Sequence, residues 1–156
     1  MTRPYGFQFD NSYTHLPEDL FSRCPLQPVK APQMELFNRA LAGELGLDGE
    51  ALDSPAGAAI LAGNEQIDGS DPIAQAYAGH QFGNLTMLGD GRAILLGEQI
   101  TPDGARRDIQ LKGSGRTVFS RGGDGRAGGL ERSPAGGRSG GYAPGRWRAA
   151  ETTADP

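Results

Sequence analysis

The stretch RAILLGEQITPDGARRDIQLKG, residues 92–113, predicts an antiparallel β-hairpin. Its first part, RAILLGEQI, is typical of a strand, and TPDGA supplies the proline and glycine of a turn. In the second part, RRDIQLKG, Ile109 and Leu111 fall on one face, because side chains alternate along a strand. The opposite face carries three polar residues, Asp108, Gln110 and Lys112. A glycine-rich loop is expected on either side of this hairpin.

Upstream of the hairpin the pattern predicts an irregular arm and a helix. Residues 1–33 are rich in proline and aromatic side chains and are expected to be ordered without regular structure. A helix is predicted to open at Pro32 and to stop at Gly46. Its apolar positions recur at steps of three and four residues, as in an amphipathic helix: Met34, Phe37, Leu41 and Leu45.

Further short helices are predicted between this helix and the hairpin. Ser54 is a candidate N-cap and is followed by Pro55, a residue favoured at the first helical position. The segment DPIAQAYAGHQFG is interpreted as a short helix from Pro72 to about Ala78 that ends at Gly79. The fold class expected from these elements is α+β.

The composition narrows the classes of protein that the chain can belong to. With 156 residues the chain allows one domain of ordinary size, and its net charge of -4 argues against nucleic-acid and membrane partners. A single cysteine, Cys24, excludes an internal disulfide and a cysteine metal cluster, and favours a reducing, cytoplasmic location. Residues 128–156 hold seven glycines in 29 positions and almost no large aliphatic residue, which predicts a disordered tail.

The glycine-rich loops have two interpretations. Glycine lets a backbone approach a ligand closely, and successive N–H groups form a concavity suited to phosphate oxygens. Arg92 and Lys112 would add cationic donors to such a site. Alternatively, LGDGR and GGDGR are ordinary tight turns, since Asp-Gly is a common turn dipeptide. Neither stretch matches the G-x-x-x-x-G-K-[ST] or the G-x-G-x-x-G pattern.

Taken in order, five stretches resemble one known family: DNSYTHLP, PIAQAYAGHQFG, LGDGRAILLGE, IQLKGSGRT and SRGGDGRA. The chain is similar over residues 5–127 to the selenoprotein O (YdiU) family of protein adenylyltransferases. The resemblance implies a protein-kinase-like fold, of which this chain would hold part of the N-terminal lobe. It also implies that AMP is transferred from ATP to Ser, Thr or Tyr hydroxyls of other proteins, with Mg²⁺ as cofactor.

The resemblance also implies which residues contact the nucleotide. These are Gly89, Gly91 and Arg92 in the first loop, Lys112 on the strand, and Asp124 and Gly125 in the second loop. The general base, two further phosphate-binding arginines and the magnesium ligands would lie beyond the matched stretch. Val118 stands where family members commonly have proline, a small departure in a loop.

The end of the chain does not resemble the family and leaves three hypotheses open. The chain is interpreted as a domain over residues 1–127 with a frame-disrupted tail over residues 128–156, an inactive ATP-binding fragment of an adenylyltransferase. It could instead be a stand-alone nucleotide-binding or interaction module. The third hypothesis is a non-functional remnant.

For the other polar residues, a structural role is the alternative to a catalytic or binding role. His80 is read as a structural hydrogen-bonding residue, His15 as a surface residue and Cys24 as a small buried one. Asp90 is expected to cap its own Asp-Gly turn rather than to bind Mg²⁺. Ser114 and Ser120 are potential hydroxyl acceptors, although exposed loop serines are usually inert. Arg121 and Arg126 could steer phosphate or simply be solvated.

Overall fold

The computed structural model describes residues 4–34, 36–81, 83–113 and 115–123, and the backbone of residues 146–147. Its main sheet has five strands, of which four follow the order β1-β3-β5-β6, while β4 pairs with β3. The strands are β1 (Phe21–Arg23), β2 (Gln33–Met34), β3 (Ile73–Gln81), β4 (Asn84–Gly89), β5 (Ala93–Ile100), β6 (Arg106–Lys112) and β7 (Arg146–Trp147). The helices are α1 (Arg39–Glu44), α2 (Gly49–Leu52) and α3 (Pro55–Leu61), with 3-10 turns at Pro4–Gly6, Tyr13–His15 and Glu18–Leu20.

The predicted hairpin is confirmed as β5 and β6. The two strands pair antiparallel from Ala93 opposite Lys112 to Ile100 opposite Arg106, with one bulge between Leu95 and Gly97. The turn is closed by the Thr101 N–H, which donates to the Ala105 carbonyl at 2.9 Å. Along β6 the two aliphatic side chains are buried and the polar ones alternate with them, as the period of two predicts.

The helix predicted over Pro72 to Ala78 is wrong, because this segment is strand β3. Its first residues pair with β1 and its remainder pairs with β4 from Ala76 opposite Gly89 to Gln81 opposite Asn84. Ile73 and Ala74 are fully buried. Long-range pairing and burial therefore override the local propensity of an alanine-rich segment. Pro72 comes directly before this strand, and Gly79, the predicted helix end, lies within it opposite Thr86.

The helix predicted from Pro32 is also wrong in its first part. Residues 33–34 form β2, which pairs in parallel with β7. Helix α1 begins only at Arg39, because the Asn38 side chain accepts a hydrogen bond from the Leu41 N–H at 3.0 Å and so caps the helix. The predicted stop at Gly46 is confirmed, since this glycine has a φ of 74°, the left-handed conformation favoured after a helix.

The predicted N-cap of α3 is confirmed. The Ser54 hydroxyl accepts from the Gly57 N–H at 3.1 Å, and Pro55 occupies the first turn. Helices α2 and α3 pack closely, since a Cβ atom at Gly57 would lie 1.9 Å from the Leu52 carbonyl oxygen. The main core joins these helices to one face of the sheet: Leu52, Ile60, Leu61, Ile94, Leu96, Ile109 and Leu111.

The N-terminal arm pairs with the second half of β5. The Asp10 N–H donates to the Glu98 carbonyl at 2.9 Å, and Phe9 lies opposite Gln99 in an antiparallel bridge. The buried Gln99 side chain accepts from the Gln8 N–H at 2.8 Å and donates to the Leu45 carbonyl at 3.0 Å. The arm predicted to be ordered but irregular is therefore tied to the centre of the sheet.

The mixed α/β architecture, with an antiparallel main sheet and short helices, agrees with the predicted α+β class. Apart from the backbone of 146–147, the tail over residues 128–156 lies outside the described residues, so its predicted disorder stays a prediction. In the part of the chain that the structure describes, no helix has the length and apolar character needed to cross a membrane.

Candidate functional site

The open end of the β5–β6 hairpin brings four of the predicted site residues together. Gly89 ends β4, Gly91 and Arg92 lie in the link between β4 and β5, and Lys112 ends β6. The link is joined to the end of β6, because the Gly113 N–H donates to the Arg92 carbonyl at 2.7 Å. The other two predicted residues, Asp124 and Gly125, lie outside the described residues.

Two cationic side chains are available at this end of the hairpin. Arg92 and Lys112 are both exposed. In residues 4–123 as far as they are described, neither side chain has an ion pair or a hydrogen-bond partner, whereas Arg23, Arg39 and Arg106 are paired with carboxylates. Neither charge therefore has to give up a partner within the described residues before it meets an anion.

Residues 89–92, the last residue of β4 and the link to β5, are called here the glycine loop, and they pack against residues 117–120. A Cβ atom at Gly89 would lie 2.3 Å from the Phe119 ring. A Cβ atom at Gly91 would lie 3.2 Å from the Phe119 carbonyl oxygen. Neither glycine has a left-handed φ, so close approach rather than backbone freedom accounts for Gly89, whereas a Cβ atom at Gly91 would only make a tight contact. On this side an aromatic ring, and not the ligand expected from the sequence, fills the space that Gly89 leaves.

Two hydroxyl groups connect the segment 117–120 to the carbonyls of the glycine loop. The Thr117 hydroxyl donates to the Asp90 carbonyl, and the Ser120 hydroxyl donates to the Gly91 carbonyl. Thr117 is not among the candidates predicted from the sequence, and Ser120 is expected there to be an inert loop serine. The available signal was a Thr and a Ser three residues apart, a spacing that favours local side-chain to backbone hydrogen bonds but does not name their partner.

The prediction that Asp90 caps its own turn is wrong, because this residue is bonded to β3. Its N–H donates to the Gln75 carbonyl at 2.9 Å, and its carboxylate accepts from the Gln75 N–H at 3.3 Å. Burial raises the pKa of the Asp90 carboxyl above its ordinary value, and the Gln75 hydrogen bond offsets only part of that rise. Asp90 thus anchors the glycine loop to the strand beside it.

The face of β6 that ends in Lys112 also carries Asp108, which is opposite Glu98 of β5. Although Asp108 keeps exposed surface, partial desolvation of its carboxyl and then the nearby Glu98 raise its pKa. Burial, and then Asp90 and Asp108, raise the pKa of the Tyr13 hydroxyl. The Gln110 amide donates to the Gln75 side-chain carbonyl at 3.4 Å, a weak contact across the same face. The amino group of Lys112 is the cationic end of this face.

The remaining candidates are placed as follows. His15 is exposed and Cys24 is buried with a free thiol, both as predicted. The backbone of His80 lies in β3, and Arg121 is an exposed residue just before the end of the described segment. Ser114 and Arg126 lie outside the described residues. No group of three or more His, Cys, Asp or Glu residues among those described could hold a metal ion.

Comparison with known proteins finds one family over most of the chain. The family model described as protein adenylyltransferase SelO matches residues 5–130. Two similar relatives are named protein nucleotidyltransferase YdiU: one from Shouchella clausii, 64% identical, and one from Alcanivorax borkumensis, 65% identical, each over 127 residues. Each alignment covers 81% of this chain and 26% of the relative, so the chain spans about a quarter of the length of these proteins.

The contact between Gly89 and Phe119 predicts that Gly89→Ala destabilises the fold. The added methyl group would overlap the ring, and overpacking of this kind costs about 1–3 kcal/mol. Gly43→Ala is the matched control, since a Cβ atom at this helical glycine meets nothing within 4 Å. Alanine there is expected to stabilise the fold by up to about 1 kcal/mol. Urea denaturation measures both changes, and a Gly89→Ala variant as stable as the parent contradicts the contact.

The raised pKa of Asp90 predicts a pH-dependent effect of Asp90→Asn. Because the folded pKa lies above the unfolded value of 3.8, the ionised carboxylate lowers stability at neutral pH. This penalty disappears as the pH falls through the folded pKa towards 3.8. The asparagine keeps an acceptor for the Gln75 N–H, so the variant is expected to be more stable than the parent at pH 7. Its advantage should shrink on acidification.

Asp103→Asn is the control, because this substitution is expected to change the stability in the opposite direction. Hydrogen bonds from the Thr101 hydroxyl and the Ala105 N–H lower the pKa of Asp103, so its carboxylate stabilises the turn above pH 3.8. This variant is expected to be less stable than the parent at pH 7, and the two stabilities should converge as the pH falls. Denaturation curves between pH 3 and pH 7 measure both variants. An Asp90→Asn difference that does not vary with pH contradicts the raised pKa.

Proposed function

The chain belongs to the SelO family of protein adenylyltransferases, and from that premise we propose that its glycine loop and Lys112 bind the phosphates of ATP. The nucleotide is the substrate of a protein AMP-transfer reaction at Ser, Thr or Tyr hydroxyls. The chain spans about a quarter of the length of its relatives, so AMP transfer, the activity of a whole family protein, is likewise a proposal.

The observation that carries the proposal is a set of unpaired donors at one end of the hairpin. Within the described residues, the backbone N–H groups of Gly91 and Arg92 donate to no protein group. The side chains of Arg92 and Lys112, one on each side of the same backbone junction, also have no partner among those residues. Two adjacent N–H groups with two cations are the donor set that a polyphosphate requires.

Lys112 and Arg92 would bind the phosphates in different ways, because their side chains differ in geometry. Lys112 ends β6, which is paired with β5 up to Lys112 itself, so its ammonium group starts from a fixed backbone and acts as a point charge. Arg92 lies in the loop, where its planar guanidinium can bind two oxygens of one phosphate. The family resemblance adds Asp124 and Gly125 to this set, and both stay predictions because they lie outside the described residues.

The proposed reaction places an acceptor hydroxyl against the α-phosphorus of ATP. A bond forms between that oxygen and the phosphorus, the bond to the β-phosphate oxygen breaks, and pyrophosphate leaves. The hydroxyl proton passes to a general base, which the resemblance assigns, with the ligands of Mg²⁺, to the part of the family that follows the matched residues. In this division the described residues bind and orient the triphosphate. A cytoplasmic location is part of the same proposal, since the thiol of Cys24 is free.

Removing the strand lysine is expected to weaken ATP binding. Lys112→Ala deletes a charge-assisted contact, and we expect the Kd measured by calorimetry to rise about tenfold. Lys30→Ala is the matched control, because Lys30 is the other lysine of the chain and is exposed in the N-terminal arm. An affinity that falls equally in both variants would indicate nonspecific attraction, and an unchanged affinity in Lys112→Ala would remove this residue from the site.

AMP transfer by the 156-residue chain alone is expected to be undetectable. Positioned bases and metal ions each contribute large factors to such reactions, and loss of single electrostatic donors already costs about 10²–10³-fold. The measurement is incorporation of label from α-labelled ATP into the chain and into a model protein, with a full-length YdiU relative as the positive control. Incorporation above the background without enzyme would show that this chain holds its own catalytic groups.

A further inference from the structure

We infer that Thr117, Phe119 and Ser120 are positioning residues that hold the glycine loop in the conformation that binds phosphate. This inference rests on the proposed function and adds to it a second segment, residues 117–120, which we call the clasp. The clasp lies on the side of the glycine loop that the Phe119 ring fills. It would act on the nucleotide only through the peptide groups of the loop.

Each clasp hydroxyl is bonded on both of its sides. The Thr117 oxygen accepts from the Phe119 N–H at 3.1 Å while its hydrogen goes to the Asp90 carbonyl. The Ser120 oxygen accepts from the Thr117 N–H at 2.9 Å while its hydrogen goes to the Gly91 carbonyl. A hydroxyl that accepts within the clasp and donates to the loop couples the two backbones, which an apolar side chain cannot do.

The two donated hydrogen bonds determine where the loop N–H groups point. In a planar trans peptide the C=O and N–H bonds point in opposite directions. Because the Asp90 and Gly91 carbonyls point towards the clasp, the N–H groups of Gly91 and Arg92 point away from it. These are the same two N–H groups that have no acceptor among the described residues. The clasp thus turns two consecutive donors to the side left open for an anion.

The clasp is itself held from the N-terminal side of the molecule. The Gln27 amide donates to the Arg116 carbonyl at 3.4 Å, and a Cβ atom at Gly115 would lie 2.4 Å from the Gln27 side chain. The Phe119 ring packs against the main core, so the clasp is fixed to the same hydrophobic cluster as β5 and β6. The loop, the clasp and the strand that carries Lys112 therefore share one support.

The test uses the full chain with two variants that each remove one clasp hydroxyl, Thr117→Val and Ser120→Ala. We expect each variant to bind ATP about fivefold more weakly, the factor that corresponds to one net hydrogen bond. Thr117→Ser keeps the hydroxyl and is expected to bind like the parent. Thr14→Val is the matched control, because the Thr14 hydroxyl donates to the Asn11 carbonyl at 3.0 Å, within the N-terminal arm, and not to the glycine loop.

A second measurement, hydrogen exchange, separates positioning from general stability. The Asp90 and Gly113 amides hold the loop at its two ends, through the Gln75 and Arg92 carbonyls. They are expected to exchange faster in Thr117→Val and Ser120→Ala, and at the parent rate in Thr117→Ser and Thr14→Val. Unchanged ATP affinity in both hydroxyl-deleting variants overturns the inference, as do unchanged exchange rates.

The outcome for the parent chain distinguishes the two proposals. If the parent binds no ATP, the proposed function fails, and the exchange rates still decide whether the clasp holds the loop. If the parent binds ATP but its Gly91 and Arg92 amide resonances do not shift on ATP addition, ATP binding by the chain stands, but the phosphate contacts proposed for the glycine loop do not. In that case the inferred orientation of the loop donors is wrong.

Discussion

The burial of β5 on both faces is the constraint on which the rest of the structure depends. One face contributes to the main core, and on the other Leu95 packs with Phe21 and Ile73. The arm contributes to both faces: Tyr13 packs against the Leu95 cluster, and Phe9 packs against the main core, where a Cβ atom at Gly97 would lie 2.6 Å from its ring. The buried Glu98 carboxylate is satisfied by hydrogen bonds from the arm, without which its burial would be costly.

This doubly covered strand explains why the candidate site is a defined surface. A strand fixed on both faces fixes its hairpin partner β6, and with it the backbone of Lys112. The glycine loop enters the same strand and is bonded at one end to Gln75 and at the other to Gly113. The clasp then orients the peptide groups between those ends. A loop ordered before its ligand arrives loses less entropy on binding, so a modest set of donors can suffice.

Features that depend on neighbouring residues could be predicted from the sequence, and features that depend on distant contacts could not. The β5–β6 hairpin and the Ser54 cap follow from alternation, a short turn and capping chemistry. The strand β3 was mistaken for a helix because its partners β1 and β4 are not visible in its own composition. Likewise, nothing near Gly89 indicates that the space it leaves is taken by Phe119, 30 residues further along. The five matching stretches identified the family where periodicity could not.

The central claim is that the clasp and the glycine loop are in contact before any nucleotide binds. Nuclear Overhauser contacts between the Phe119 ring protons and the α-protons of Gly89, recorded on the isotope-labelled chain without ATP, test it most directly. The account predicts strong cross-peaks, since even the absent Cβ atom of Gly89 would lie 2.3 Å from that ring. If these cross-peaks are missing in the free chain, or arise only after ATP is added, the loop is not preformed and the account is contradicted.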